Sequence, residues 1–318
     1  MRITNRMMTD NAIQSMAENL EKMNKLQDKL SSMKQFQTAS EDPVRSSASL
    51  SLRSNLRTLE SYMTTADSTI NWMTASDSSF QQLEDLATRA NTLVLRGLND
   101  SLSGSERAST LGAEMQTLLT EAVDVANTNV NGQYIFSGYL VNTKAFTLTP
   151  GVAINDTNGN PYTPQTVAYT GDTGNMQRNL GPDQSVTLNV RGDQAISGFL
   201  QNLKLASDAL MSNNIHDSTD PAADNSLTLQ TALSGLQSSL SVLDQYRTSN
   251  GARMRQVESA SNFLETVNSE TKSLLSKKED TNMAEGIALL TNQKTTYEAV
   301  LQVSQRAISA LSLFDYLQ

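Results

Sequence analysis

Leu52, Leu56, Leu59, Met63, Ala66, Ile70 and Met73 recur at alternating spacings of four and three residues. That repeat draws one narrow apolar line along an α-helix, the seam of a coiled coil rather than the broad face of a globular helix. The helix starts at Pro43, whose fixed φ suits a first helical position, with Asp42 as its N-cap. Beyond Met73 the register shifts through Phe80, Leu83, Leu86, Ala90 and Leu93 toward a break at "RGLNDSLSGS". About 55 residues of helix would span roughly 80 Å, too long for an ordinary compact domain. A third helix opens with Ser103 and Glu106 at capping-box spacing. Its line of Leu111, Met115, Leu118, Ala122 and Val125 can pack on the second helix.

The second half of the chain repeats the device. After a helix at Ile196–Met211 and a polar loop, Leu229, Leu233, Leu236, Leu240 and Leu243 restore the seam, which resumes through Met254, Val257, Leu264 and Leu274. Gly251 weakens this helix by about 1 kcal/mol relative to alanine, without breaking it.

Both extremities carry a further stripe. Near the start Ile13, Met16, Leu20, Met23, Leu26, Leu30 and Met33 keep helical spacing. Near the end, after an N-cap signal at Asn282 with Glu285, the stripe runs through Ile287, Leu290, Tyr297, Leu301, Ile308, Leu311 and Phe314, with Lys294 and Ser304 as polar interruptions. Met16, Leu20, Met23 and Leu30, with these C-terminal residues, are the candidate assembly interface. The expectation is that the terminal helices are poorly ordered in a lone subunit and fold on meeting neighbours, because narrow stripes on isolated helices are marginal in water.

From about Asn129 to Gly192 the composition changes, with four of the six prolines and eight of the fifteen glycines. Alternating runs such as "QYIFSGY" and "SVTLNV", with turn pairs such as Asn158-Gly159, predict short strands. The fold class predicted is mainly α with a β insert. Residues 1–42 and 282–318 form a terminal coiled-coil module, 43–129 and 193–281 an inner helical bundle, and 130–192 a β-rich outer domain.

The formal charge of −9 argues against an electrostatic grip on nucleic acid or acidic membranes. Without cysteine, disulfides and thiolate chemistry are excluded. No convergent catalytic, cofactor or metal set appears. Asp156–Pro161 resembles the start of a calcium loop, but Pro161 replaces the required glycine and Val167 the glutamate, so it reads as a turn. Ser31 and Lys34 have a hydrolase spacing without its companion motifs, and His216, the lone histidine, sits in a polar loop. Arg191–Asp193 spells an adhesion tripeptide at a strand end, where a turn is the simpler reading. Trp72 flanks the seam as a possible subunit contact, and Arg45, Arg53 and Arg57 share a helix with Glu60 as a pairing acid.

"MRITNRMM", "KLQDKLSSMKQFQTASEDPV", "VANTNVNGQYIFSGY" and "LSLFDYL" resemble the flagellin superfamily, and within it the hook-associated group that joins hook to filament. The resemblance covers roughly residues 1–140 and 225–318. Ser32-Met33-Lys34-Gln35 departs from the threonine-glycine-lysine-arginine turn usual in that group, which puts the local turn in doubt. The resemblance implies a non-enzymatic extracellular component exported through the flagellar type III channel without a cleaved signal. It also implies self-assembly into a ring or helical layer, contacts with the first hook-associated protein and with flagellin, and a small cytoplasmic export chaperone. The alternatives are a flagellin-type filament subunit and a secreted helical adhesin that uses the β domain.

Overall fold

The computed structural model describes residues 2–99, 103–155, 161–212 and 226–316, with side chains at Met7 and within residues 10–306. In chain order the helices are α1 (Arg2–Ser32), α2 (Pro43–Gly97), α3 (Gly104–Glu106), a π-helical turn (Arg107–Gly112), α4 (Ala113–Ala126), α5 (Gly192–Ala195), α6 (Ser197–Met211), α7 (Ser226–Glu279) and α8 (Met283–Tyr316). Among the described residues eight short strands lie between α4 and α5. The architecture is mainly α with a β insert, as the periodicities predict.

The helix ends follow local chemistry. Asp42 Oδ1 accepts the Arg45 amide at 3.0 Å and opens the 55-residue α2. Ser103 and Glu106 form the complete reciprocal capping box of α3. Asn282 Oδ1 accepts the amides of Ala284 at 3.2 Å and Glu285 at 3.4 Å at the head of α8. Each cap satisfies donors that the first helical turn leaves unpaired. The α7 helix runs unbroken through Gly251.

The described chain divides into two compact units, Met1–Glu60 with Thr266–Gln318, and Ser61–Glu265. The second holds the large core. Leu83, Ala90 and Leu93 of α2, Met115 and Leu119 of α4, Phe199 and Leu203 of α6, and Leu229, Leu236 and Leu243 of α7 are all buried in one cluster. Leu233 and Leu240 are half-buried against it. A second cluster joins Ala66 and Met73 of α2 to Val257 and Ala260 of α7, with Ile70 packed alongside, while Met63 is half-buried. Polar contacts hold the two helices in register: Asn250 Nδ2 donates to the Met73 carbonyl at 2.8 Å, and Arg247 bridges Asp77 at 3.1 Å and Glu84 at 2.7 Å. Trp72 is 6% exposed and belongs to the main cluster, so the expectation of a subunit contact there is corrected.

The insert is less regular than its composition suggests. Among the described residues it forms four separate antiparallel pairs, of which β3 (Phe146–Pro150) with β6 (Gln165–Tyr169) is the longest. The strand expected through "QYIFSGY" stops at Tyr134: Ile135 and Phe136 are fully buried, and the Phe136 ring meets Phe80 of α2 edge-on at 5.4 Å. These side chains plug the bundle instead of continuing a ladder. Asn131 and Gly132, with φ of 52° and 85°, make the two-residue hairpin between β1 (Asn129–Val130) and β2 (Gln133–Tyr134). Both positions need the left-handed region that Asn and Gly tolerate. The Asn158-Gly159 turn, the start of the calcium-like loop and His216 lie outside the described residues.

Replacing Phe80 with alanine removes a fully buried ring from this core. The expected cost is about 3–5 kcal/mol. Urea unfolding should show a lower midpoint with unchanged slope, and a loss below about 1 kcal/mol would contradict this account of the core.

Candidate assembly interface

The other unit is built on different terms. Among its described residues Leu56, at 8% exposure, is the one apolar side chain buried to the level of the core, with Leu52 and Leu59 half-buried beside it on α2. Here α1 packs along α8. Their half-buried positions fall at Ala12, Met16, Asn19, Met23, Leu26 and Leu30 on α1, spaced four and three throughout. On α8 the matching line is Leu290, Gln293, Tyr297 and Val300, half-buried, between the buried Gly286 and Ser304. Gln293 Nε2 donates to Asn19 Oδ1 at 2.9 Å, while a Cβ on Gly286 would meet Leu30 Cδ2 at 2.6 Å. Asn19 faces Gln293 while Leu30, later in α1, faces the earlier Gly286, so the helices run antiparallel. A polar pair at one seam layer penalises slippage, which would leave either amide facing hydrocarbon.

Where α1 ends, a charged joint fastens it to the end of α7. Glu279 is almost wholly buried, yet accepts Arg53 Nε at 2.8 Å, Arg53 Nη2 at 2.6 Å and Lys34 Nζ at 3.1 Å. Lys34 Nζ also reaches Asp280 Oδ1 at 2.7 Å, and Ser276 Oγ donates to Asp280 Oδ2 at 2.6 Å. Backbone bonds run alongside: the Gln35 amide to the Glu279 carbonyl at 2.7 Å and the Thr281 amide to the Met33 carbonyl at 2.9 Å. The turn that its unusual sequence put in doubt therefore forms, with Met33 at φ 57° where the related turn carries glycine. Arg53, expected to pair with Glu60, pairs with Glu279. Lys34 belongs to this joint, and Ser31 Oγ donates to the Asp28 carbonyl at 3.0 Å, so the two do not form a catalytic pair.

The outer faces of the pair are apolar in part. Ile13 is 58% exposed, Leu20 41%, Ile287 54% and Val303 67%, with Met7 and Leu289 also open. Of the residues read from the sequence, Met16, Met23, Leu30, Leu290, Tyr297 and Leu301 are half-buried, whereas Leu20 and Ile287 point outward. The side chains of Ile308, Leu311 and Phe314 lie outside the described residues. Sequence reading missed Asn19, Gln293 and Gly286. The signal was present: Asn19 stands three residues after Met16 and four before Met23, and Gln293 stands likewise between Leu290 and Tyr297.

An antiparallel pairing of chain ends, joined to long inner helices, can now be compared with known proteins. Residues 3–140 match the bacterial flagellin N-terminal helical region. The N-terminal part of the chain is therefore similar to the flagellin N-terminal helical region. Over 276 residues it is 22% identical to flagellar hook-associated protein 3 of Escherichia coli (strain K12), covering 81% of this chain and 82% of that one. The same fold occurs in Bacillus cereus FlgL, at 21% identity and TM-score 0.54 over 72% of this chain and 99% of that one. It occurs also in Xanthomonas campestris FlgL, at 16% identity and TM-score 0.57 over 71% and 99%. For the flagellar junction protein FlgL from Legionella pneumophila the values are 15% identity, TM-score 0.54, and 74% and 100%. In this chain the Asn19–Gln293 layer and the Glu279 joint are the features that fix how the two chain ends meet.

Arg53 first, then Lys34, hold the Glu279 carboxyl below its ordinary value of 4.5, against the opposing effect of burial. A lowered carboxylate pKa stabilises the fold fully above the unfolded value and loses that contribution as pH falls through the folded one. A ¹³C NMR titration should place the Glu279 midpoint below 4.5, and Glu279→Gln should remove this acid-side loss of stability. A midpoint at or above 4.5 would show that the joint is not closed in solution.

Proposed function

We propose that this chain is a structural adaptor of the bacterial flagellum, joining hook to filament, whose paired terminal helices make the contacts between subunits. The observation that carries the reading is the contrast between the units: a filled core in one, and in the other a half-buried seam with apolar side chains left facing outward. Fully burying a Leu or Ile side chain contributes about 1.5–3 kcal/mol, so half-exposed ones offer roughly 1 kcal/mol each. The six named outward residues would then yield about 6 kcal/mol, against an association cost of about 4–15 kcal/mol. One neighbour is marginal. A subunit joining an existing ring or helical layer also buries the matching residues of the copies it lands on, which adds to that gain and suits a protein that assembles on a template.

In this reading residues 1–42 and 282–318 form the terminal module, ordered fully on assembly. Residues 43–129 and 193–281 form the stiff inner bundle, and 130–192 the outer surface. The first hook-associated protein lies below the layer and flagellin above it, a small export chaperone holds the C-terminal region before export, and the site of action is extracellular. Among the described residues no helix is long and apolar enough to cross a membrane. The adhesin alternative loses its proposed ligand: Gly192 is buried, and Arg191 is engaged by Asp193 at 2.5 Å at the start of α5.

Ile13→Asp combined with Val303→Asp places charges on exposed positions, so circular dichroism and the thermal midpoint of the inner bundle should stay at wild-type values. Filament attachment and swimming should be lost. Wild-type swimming from this variant would contradict the proposed role of the terminal faces.

A further inference from the structure

Arginines that pack against this protein generally find an acid. Arg53 has Glu279, Arg89 has Glu114, Arg191 has Asp193, and Arg247 has Asp77 and Glu84. Arg253 on α7 does not. It is half-buried, and its guanidinium reaches only neutral oxygens: the carbonyls of Thr187 and Asn189, both at 3.4 Å, and Ser249 Oγ at 3.2 Å. No carboxylate among the described residues pairs with it. These contacts are long, and they leave part of the five-donor fork unused. A cation withdrawn from water without a counter-ion is costly, and the cost is recovered when an anion reaches it.

A cavity of about 300 Å³ opens at this guanidinium. Asn175, Asn189, Arg191, Gln194 and Tyr246 line it with Arg253, and no aspartate or glutamate does. Asn189 is held in place, accepting the Met176 amide at 2.8 Å and donating to the Gly174 carbonyl at 2.9 Å. Tyr246 donates its hydroxyl to Gln194 Oε1 at 3.3 Å, which turns the Gln194 amide nitrogen into an available donor. The exposed Asn175 amide supplies another. Because Asp193 cancels Arg191, the cavity holds one uncompensated positive charge in a chain whose net charge is −9. A singly charged planar anion matches that count and the fork geometry, whereas a doubly charged phosphate would leave the pocket negative.

We propose that this cavity binds a carboxylate, with the Arg253 guanidinium as counter-charge and the Gln194 and Asn175 amides as flanking donors. The carboxylate comes either from a small free acid or from an acidic side chain of a second copy, of which each chain has 33 to offer. The inference is independent of the terminal helices. Burial holds the Arg253 guanidinium below its ordinary pKa, as an unneutralised cation requires.

The test follows the side-chain amide resonances of Gln194 and Asn175, and in the wild type also the Nε–Hε resonance of Arg253, in the ¹⁵N-labelled full chain at neutral pH, as acetate replaces chloride at fixed ionic strength. Saturable movement of the Gln194 and Asn175 amides in the wild type, weakened about tenfold or more in Arg253→Gln and unchanged in Arg178→Gln, whose arginine does not line the cavity, supports a free-acid ligand. If acetate leaves these resonances unmoved but raising the protein concentration shifts them, and Arg253→Gln abolishes that dependence of the Gln194 and Asn175 amides, the carboxylate belongs to a second copy. Should Arg253→Gln fail to fold, the wild-type resonances decide alone. An Arg253 signal indifferent to both acetate and protein concentration overturns the proposal.

Discussion

Everything in this structure depends on heptad seams that bring together helices from opposite halves of the chain. Closing a loop of roughly 250 residues costs about 5 kcal/mol, and a single buried leucine returns about 1.5–3 kcal/mol. Along α2 and α7 within the larger unit the seam is deep, with Met73, Leu236, Leu243 and Val257 fully buried, and the cost is exceeded many times over. Along α1 and α8 the seam is shallow. The same repeat therefore yields a self-sufficient bundle in one place and an unfinished pair in the other.

Polar residues in the seams decide register where apolar ones cannot. Asn250 reaches the Met73 carbonyl, and Asn19 meets Gln293 across the terminal pair. Sliding either helix by one turn would strand these amides against hydrocarbon. Glu279 does the same work at the joint by demanding both Arg53 and Lys34. A terminal pair with few buried apolar groups can thus hold a defined geometry while keeping Ile13, Leu20, Ile287 and Val303 outward for use elsewhere.

Much of the fold was legible because its signals are local. The caps at Asp42, Ser103 with Glu106, and Asn282 each involve residues within three positions of one another, and all three form. The choice between adjacent stripes was less legible. On α8 the apolar line that starts at Ile287 is interrupted by Lys294, and Ile287 faces outward while the neighbouring Gly286 and Gln293 meet α1. Small and polar side chains win there because Gly286 admits Leu30 and Gln293 finds Asn19, facts that belong to the partner helix and not to α8. The joint, the plug of Ile135 and Phe136, and the burial of Trp72 were hidden for the same reason: each is decided by residues far away in sequence.

The central claim is that the terminal pair is registered but incomplete in one molecule and is completed by others. Amide hydrogen exchange, compared between the isolated subunit and its assembled form, measures this most directly. The account predicts that residues 7–33 and 283–304 exchange much faster than the buried stretches of α2 and α7 in the isolated subunit, and approach their protection after assembly. Protection of those segments in the lone subunit equal to that of the inner bundle, with no gain on assembly, would contradict it.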